Sequence, residues 1–273
     1  MRIFLLLLFT LIGCCFTTEE IQGQEKVLKC RNEIGRYCYV EGQKVDTEGF
    51  ILPPNPVVKV LKIGDNNEVK FLPENVGKSF PKLFFYHVYG CAVKSVNQYH
   101  LKGLHELVKL AFRGNEIETI TIDAFKDLGK LEYLNLAGNK IKVVDSKWFQ
   151  PLKIVDEVLL HSNGIANLDE NVFENLPNLK YVYLENNTLS SIPEKLFEHN
   201  LKMEKIWLQK NQIQTINSSM FDHLGKLSVV DLRVNICVDR LYMTNTTNSI
   251  NAFDISGEGL LKKDLEKANC TQN

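Results

Sequence analysis

Residues that could do catalytic or metal chemistry do not fall at the spacings that such chemistry needs. His105 and Glu106 could begin a His-Glu-x-x-His zinc motif, but lysine stands where its second histidine is required. No phosphate-binding loop and no Gly-x-Ser-x-Gly nucleophile elbow is present. The sequence therefore predicts a protein that is not an enzyme and that uses no cofactor.

One histidine pair keeps a regular spacing, because His199 and His223 are 24 residues apart. Two histidines could bind a metal ion or respond to pH. With no third ligand at the same spacing, loop residues are the simpler interpretation. We therefore predict no metal site.

The N-terminus has the features of a secretory signal peptide. Arg2 precedes an apolar run from Ile3 to Phe16, which is too short to span a bilayer. We assign residues 1–18 to the signal and expect cleavage between Cys15 and Gly23. An alternative is a bacterial lipoprotein signal, since Leu11-Ile12-Gly13-Cys14 also fits that pattern. No hydrophobic tail follows at the C-terminus, so we expect a secreted, extracellular protein without a membrane anchor.

Cysteines and sequons fit this expectation. The sequence has seven cysteines, and removal of the signal with Cys14 and Cys15 leaves five. In an oxidising compartment an odd number means that at least one cysteine is unpaired or pairs between chains. Four N-x-Ser/Thr triplets predict glycosylation at Asn186, Asn217, Asn245 and Asn269. The net charge of −1 gives no indication of a nucleic-acid partner.

A repeat of constant length organises most of the chain. Asparagines recur every 24 residues, at Asn115, Asn139, Asn163, Asn187, Asn211 and Asn235. Apolar residues keep fixed offsets around them, as in Leu107, Leu110, Phe112, Asn115, Ile117, Ile120, Phe125 and Leu128. An earlier copy is centred on Cys91, and a degenerate one with one inserted residue reads Val58, Leu61, Ile63, Asn66, Val69 and Leu72.

This pattern resembles the leucine-rich repeat L-x-x-L-x-L-x-x-N-x-L of the 24-residue extracellular type. The resemblance covers roughly Val57 to Asn235, about two thirds of the chain. It implies an α/β-type leucine-rich-repeat solenoid: a curved horseshoe with a parallel concave β-sheet and a convex side of loops and 3-10 turns. Phe71-Leu72-Pro73-Glu74-Asn75 and Ser79-Phe80-Pro81-Lys82-Leu83 are similar to segments of small secreted arthropod members of this family, those of insects in particular.

The physical chemistry of the pattern agrees with that fold. Alternating leucines give a short strand one buried and one exposed face, and stacked copies form a parallel sheet at about 4.8 Å per repeat. The asparagine amide both donates and accepts, so it can satisfy backbone groups where the chain leaves the strand. The phenylalanines that recur once in each repeat should stack as core.

A solenoid exposes its core at both ends unless it is capped. We predict an N-terminal cap over residues 19–56 with a Cys30–Cys38 disulfide, seven to eight repeats over 57–235, and a C-terminal cap over 236–273. Cys237 is expected to pair with Cys270, which follows a short amphipathic helix of Leu260, Leu261, Leu265 and Ala268. Each cap keeps two cysteines, where the family usually has four.

The residues on the exposed face of the concave sheet need not serve the core, so they are the candidates for binding. Tyrosine, tryptophan and arginine are enriched in interface hot spots. The predicted ligand-binding residues are Phe85, His87, Tyr89, Arg113, Tyr133, Tyr181, Tyr183, Trp207 and Arg233. A glycan on Asn186 would shield part of this face.

Two functions fit the sequence. The first is a secreted module that binds an unknown protein ligand on its concave face, for which the family resemblance implies immune or developmental recognition. The alternative is a structural or adhesive extracellular protein that acts by self-association, as a homodimer joined through Cys91 or by edge-to-edge contact.

Overall fold

The computed structural model describes residues 26–30, 36–40, 42–64, 68–243, 260–268 and 270. The predicted signal segment and the sequons at Asn245 and Asn269 lie outside the described residues. The described chain winds into a β-solenoid of about eight turns with a parallel sheet and few helices, as the sequence predicted.

Short strands account for most of the regular structure. They are β1 (Lys26–Val27), β2 (Tyr37–Val40), β3 (Phe50–Ile51), β4 (Val60–Gly64), β5 (Phe85–Tyr89), β6 (Ser95–Val96), β7 (Lys109–Ala111), β8 (Thr119–Ile120), β9 (Tyr133–Asn135), β10 (Glu157–Leu159), β11 (Tyr181–Tyr183), β12 (Ser191–Ile192), β13 (Lys205–Trp207), β14 (Thr215–Ile216), β15 (Val229–Asp231) and β16 (Leu241–Met243). The helices are α1 (Val76–Ser79), α2 (Gln98–Leu101) and α3 (Leu260–Lys267), and the 3-10 helices are η1 (Ser146–Phe149) and η2 (Ser218–Phe221).

One ten-stranded sheet forms the concave side, in the order β16-β15-β13-β11-β10-β9-β7-β5-β4-β2. Its strands are parallel except β16, which pairs with β15 in the antiparallel direction. Between repeats of equal length the partners are one full repeat apart, as in Glu157 and Tyr181. Equivalent side chains of successive repeats therefore lie side by side in columns across the sheet.

The sheet begins earlier than the predicted repeats. Val60 pairs with Phe85, one residue beyond a full repeat, which agrees with the predicted one-residue insertion. Tyr37 pairs with Val60, so β2 is the first concave strand although the sequence assigned it to the cap. Val45 also bridges to Val69 in parallel. The N-terminal cap is thus itself a shortened solenoid turn.

Asparagines bind each turn to the one before it. In Asn139, Nδ2 donates to the Phe112 carbonyl oxygen, 27 residues back, at 2.8 Å, and Oδ1 accepts from the Ile117 amide at 3.0 Å. The same two bonds recur at Asn163, Asn187, Asn211 and Asn235. At Cys91 the thiol instead donates to the Tyr89 carbonyl oxygen at 3.4 Å. The repeat asparagines therefore form the hydrogen-bonded ladder that the pattern predicted.

The residue before each ladder position adopts a left-handed backbone. Three glycines occupy this column in the N-terminal half, and Ser162, Asn186, Lys210 and Val234 continue it, at φ between 55° and 66° throughout. Left-handed φ is unfavourable for residues with a Cβ, most of all for a β-branched one such as Val234. The ladder bonds of the following residue hold the turn in this conformation.

The core lies between the concave sheet and the convex turns. Phe125, Phe149, Phe173, Phe197 and Phe221 are all fully buried. The rings of neighbouring turns are in contact, with centroids 5.8 Å apart between Phe149 and Phe173 and 5.9 Å apart between Phe173 and Phe197. These phenylalanines therefore pack the core, as their spacing predicted.

Both ends of the stack are closed by the predicted cysteine pairs. Cys30 lies at disulfide distance from Cys38 and Cys237 from Cys270, with Cα–Cα distances of 5.1 and 5.5 Å. Leu261 and Leu265 of α3 are buried, whereas Ala268, which was predicted to belong to this helix, follows its end and is exposed. Within the described ranges no helix is long and apolar enough to cross a bilayer.

Candidate ligand-binding face

The predicted binding residues of the C-terminal half meet on the concave sheet. β11 and β13 pair so that Tyr183 lies beside Trp207. Their rings stack with centroids 4.1 Å apart and planes inclined by 6°. Lys205 places its Nζ 5.7 Å from the Tyr181 ring and 5.9 Å from the Trp207 ring. We call Tyr181, Tyr183 and Trp207 the C-terminal aromatic patch.

Carboxylates fix the hydroxyl ends of these tyrosines. Tyr181 donates its hydroxyl to Glu204 Oε2 at 2.9 Å. Tyr183 shares a hydrogen bond with Glu157, and burial, followed by the Glu157 charge, raises the pKa of Tyr183 to about 12. Burial likewise raises the pKa of Glu157, against the opposing effect of the Tyr183 bond. The patch therefore presents its rings in fixed orientations.

A second cluster of predicted residues forms at the other end of the sheet. The His87 ring stacks on Phe85 and lies tilted against Tyr89, with centroid distances of 5.5 and 4.6 Å. Arg113 lies over Tyr89 at 6.0 Å. Burial, and then the charges of Arg113 and Lys62, lower the pKa of His87 to about 4, so its ring is neutral at physiological pH. We call Phe85, His87 and Tyr89 the N-terminal aromatic patch.

Between the two patches, fewer side chains are exposed on the open face of the sheet than the alternation of the strand residues predicts. Ala111, Asn135 and Ala137 are buried, with 4%, 6% and 4% of their surface exposed. Asn135 donates to the Tyr133 hydroxyl at 2.8 Å and accepts from the Ala137 amide, while Lys109 lies over the Tyr133 ring. Tyr133, held by Asn135, is thus the predicted binding residue that remains half-buried on this part of the face.

Arg233 lies on the face as predicted, but it is held by a neighbour. Asp231 is 1% exposed, and the Arg233 guanidinium binds both of its carboxylate oxygens, the shortest contact being 2.6 Å from Nη2 to Oδ2. Without the guanidinium this buried carboxylate would keep only the bond from the Arg233 backbone amide, so the Arg233 side chain has a structural role in addition to any contact with a ligand.

The two described sequons lie on the surface. Asn186 is exposed and donates to Ser162 Oγ at 3.1 Å. Asn217 is half-buried and caps η2, where Oδ1 accepts from the Ser219 amide at 3.0 Å. Glycosylation at either position stays a prediction.

His199 and His223 do not form a metal-binding cluster among the described residues. His199 is exposed, and His223 Nε2 lies 3.1 Å from the Phe197 carbonyl oxygen. Among the described residues, no group of three or more His, Cys, Asp or Glu side chains is arranged to hold a metal ion.

Sequence reasoning did not select some residues that the geometry brings into the face. Lys205, Glu157 and Glu204 orient the C-terminal aromatic patch, and Lys62 lies 5.6 Å from the ring of Tyr39, a residue of the part assigned to the cap. The offset between β2 and β4 is one residue short of a full repeat, so a constant period does not align Tyr39 with the later repeats.

The half-buried Glu185 is expected to make stability depend on pH. Burial, and then the charge of Asp231, raises its pKa, and Oε2 has no partner among the described residues. A carboxyl whose pKa is raised by folding adds stability below its unfolded pKa, about 4.5, and that stability is lost as pH rises through the folded pKa. Glu185→Gln should therefore raise the thermal midpoint near neutral pH and leave it unchanged at about pH 4.

Circular dichroism melts of wild type and variant over this pH range measure the effect. Glu198→Gln, at an exposed carboxylate, serves as the control. An equal effect of Glu185→Gln at both ends of the range would contradict the assignment of the cost to the ionised carboxylate.

Comparisons with known proteins agree with the fold. The family profile described as the BspA type leucine rich repeat region matches residues 118–251 with six copies, and the leucine rich repeat profile matches residues 87–141. No curated protein sequence matches the chain significantly.

Among solved structures, the chain resembles an internalin (inlF) from Listeria monocytogenes, with 20% identity and a TM-score of 0.56, over 73% of this chain and 54% of that one. It also resembles a chain of the Toll–Spatzle complex of Drosophila, with 20% identity and a TM-score of 0.56, over 66% of this chain and 27% of that one. The protein thus spans about half of the first neighbour and about a quarter of the second. At this identity the likeness concerns the fold.

Leucine-rich-repeat scaffolds are typically non-enzymatic protein-interaction modules. With repeat profiles matching residues 87–251, a ladder of regularly spaced asparagines and solenoid neighbours of the same type, the chain is a leucine-rich-repeat protein.

Proposed function

We propose that the protein is a secreted recognition module that binds a protein ligand on its concave face. The observation that carries the proposal is the C-terminal aromatic patch, where Tyr183 and Trp207 stack at 4.1 Å beneath Lys205. These side chains are half-buried on the open face of the sheet. The core beneath is closed without them, because Val182 and Ile206 on the opposite face are fully buried.

The rigidity of the patch favours binding. Association is opposed by the entropy of ordering side chains at the interface. The stack, the Tyr181–Glu204 bond and the Tyr183–Glu157 bond already order these rings before a ligand arrives. Tyrosine and tryptophan so held are the residue types that dominate interface energies.

Charges on the face would orient the ligand. Lys62, Lys109 and Arg113 lie toward the N-terminal end of the sheet, whereas Glu157 and Glu185 share the rest of the face with Lys205 and Arg233. The N-terminal part of the face is therefore the more uniformly positive one. Complementary charge supports a ligand that presents acidic groups to the N-terminal aromatic patch.

Secretion and glycosylation belong to the proposal. The predicted signal, the four sequons and the cysteine pairs closing both caps support an extracellular setting, where disulfides persist. In that setting, a concave face of this kind fits recognition in immunity or development.

The test is capture from the extracellular fluid of the source organism by immobilised wild type and by the Tyr183→Ala, Trp207→Ala double variant. We expect wild type to capture a protein that the double variant binds at least about ten-fold more weakly, since each ring is a hot-spot type. Tyr99→Ala is the matched control, because Tyr99 is 52% exposed on α2, away from the concave face. Circular dichroism checks that all three proteins fold.

Equal capture by wild type and the double variant would contradict a concave-face site. Capture of no protein by wild type, with a concentration-dependent increase in mass by light scattering, would favour self-association instead. A disulfide between copies through Cys91 is disfavoured, because this side chain is only 4% exposed and its thiol donates to the Tyr89 carbonyl oxygen.

A further inference from the structure

A groove on the convex side has no role in the function proposed above. Its volume is about 830 Å³, within the range of ligand-binding clefts. It runs between the convex segments of two successive repeats, which begin at Glu118 and Lys142. We call it the convex groove; its lining includes Ile120, Ile122, Lys142, Val143, Trp148 and Gly164.

The groove lies where pairing between the convex strands is interrupted. β6 pairs with β8, and β12 pairs with β14, but the two intervening repeats form no convex strand. The paired strands begin with Ser95, Thr119, Ser191 and Thr215, whereas the unpaired repeats carry Val143 and Asn167 in this column. The side of β8 that faces the next repeat therefore has no strand against it in the described chain.

The exposed side of β8 offers backbone hydrogen-bonding groups. The amides of Thr119 and Thr121 donate toward β6, to the Lys94 and Val96 carbonyl oxygens at 3.4 and 3.0 Å. Because successive residues of a strand direct their backbone groups to alternate sides, the amide and carbonyl of Ile120 face the groove. An open strand edge of this kind is a template for pairing with another segment.

The equivalent strand edge near the C-terminus is already paired with another part of the chain. Ile216, four repeats after Ile120, also faces the C-terminal side of its strand. Its amide donates to the Cys270 carbonyl oxygen at 2.9 Å, so a residue of the C-terminal cap pairs with the edge of β14. At β8 the equivalent position faces the convex groove.

Apolar side chains line the groove next to this edge. Val143 is 74% exposed and Ile122 is 54% exposed, although both are aliphatic. Trp148 stands in the column of Ala124, Val172, Leu196 and Met220 and is the largest side chain of that column. Its indole lines the groove while remaining 5% exposed. Two lysines and two acidic residues also line the groove, so it favours a ligand without net charge.

We propose that the convex groove binds an extended peptide segment of a partner protein, which pairs with the edge of β8 at Ile120 and inserts an aliphatic or aromatic side chain between Val143 and Trp148. Main-chain bonds would supply affinity and the inserted side chain specificity, as in other cases of strand addition. The site is independent of the concave face, so the protein would hold two partners, or two parts of one, on opposite sides of the solenoid.

The experiment uses the Trp207→Phe protein, in which Trp148 is the only tryptophan, since the sequence has two. The ligands are short capped peptides in which threonine alternates with valine, isoleucine, leucine or phenylalanine. We expect at least one of them to produce a saturable change in Trp148 fluorescence. Val143→Glu should weaken its binding at least about ten-fold, because the new charge would have to be desolvated. The same peptide N-methylated on the paired amides should bind as weakly.

Leu201→Glu is the matched control, because Leu201 is 59% exposed and lies outside the groove. It should leave peptide affinity unchanged, and thermal melts should show that both glutamate variants fold. The proposal is overturned if none of the peptides changes the Trp148 signal, or if Val143→Glu and N-methylation leave the affinity as it was. Either result leaves the proposed function of the concave face standing.

Discussion

Replacing Asn139 with alanine is expected to lower the free energy of unfolding by about 4 kcal/mol. Asn139 is 8% exposed, and its side-chain amide makes four hydrogen bonds to the backbone. The substitution would leave the Ile117 amide and the Phe112 carbonyl oxygen without these partners inside the solenoid. Each buried polar group left unsatisfied costs about 1–3 kcal/mol, which is more than the loss of the asparagine contacts alone.

Chemical denaturation followed by circular dichroism measures this effect. The matched control is Asn171→Ala, because Asn171 is exposed and its side chain makes none of the ladder bonds. A surface change of this kind should alter stability by less than about 0.5 kcal/mol. If both substitutions had the same small effect, the ladder would not be a main source of stability.

Removing the C-terminal disulfide by Cys237→Ala and Cys270→Ala should destabilise the protein by about 3.5 kcal/mol. The bond closes a loop with a sequence separation of 33 residues and so restricts the unfolded chain. In the folded state it holds Cys270 against Ile216, next to the buried Leu265 of α3. The end of the core should open first when this constraint is lost.

Thermal melts of the double variant measure the loss, and limited proteolysis should cut its C-terminal cap before the repeats. Lys267→Ala, an exposed change in α3, is the control for the substitution itself. An unchanged midpoint would mean that the remaining contacts of α3, such as the Tyr242–Asp264 bond at 3.0 Å, close the end without the disulfide.

The repeated part of the fold could be predicted because one residue type has one task in every turn. Asn139 and the four ladder asparagines after it make the same two bonds, and Phe173 and its equivalents fill the same space. The same residue pattern therefore supports the same structure in every turn, and each copy strengthens the prediction for the others. The turn containing β2 lacked this support, because its shortened offset to β4 and the missing asparagine remove both signals.

The sequence predicted which side chains of the site lie side by side, but not which of them are exposed. Strand alternation correctly put Tyr183 beside Trp207, since register alone decides that. The same alternation puts Asn135 and Asp231 on the open face of the sheet, but only 6% and 1% of their surface is exposed. Their burial depends on larger neighbours, Tyr133 and Arg233, that turn toward them to form hydrogen bonds. The convex groove was missed because it arises from the absence of pairing, which no single residue type marks.

The ladder also determines how the molecule would respond to mechanical force. Each ladder asparagine is bonded only to its own turn and the turn before it, and the first and last concave strands, β2 and β16, lie at opposite ends of the stack. A load applied to the two ends would therefore pass through every junction between turns in series, and the junctions would fail one at a time. Each rupture would release one turn of the repeat, about 80 Å of extended chain, so the solenoid would lengthen in equal steps at modest force.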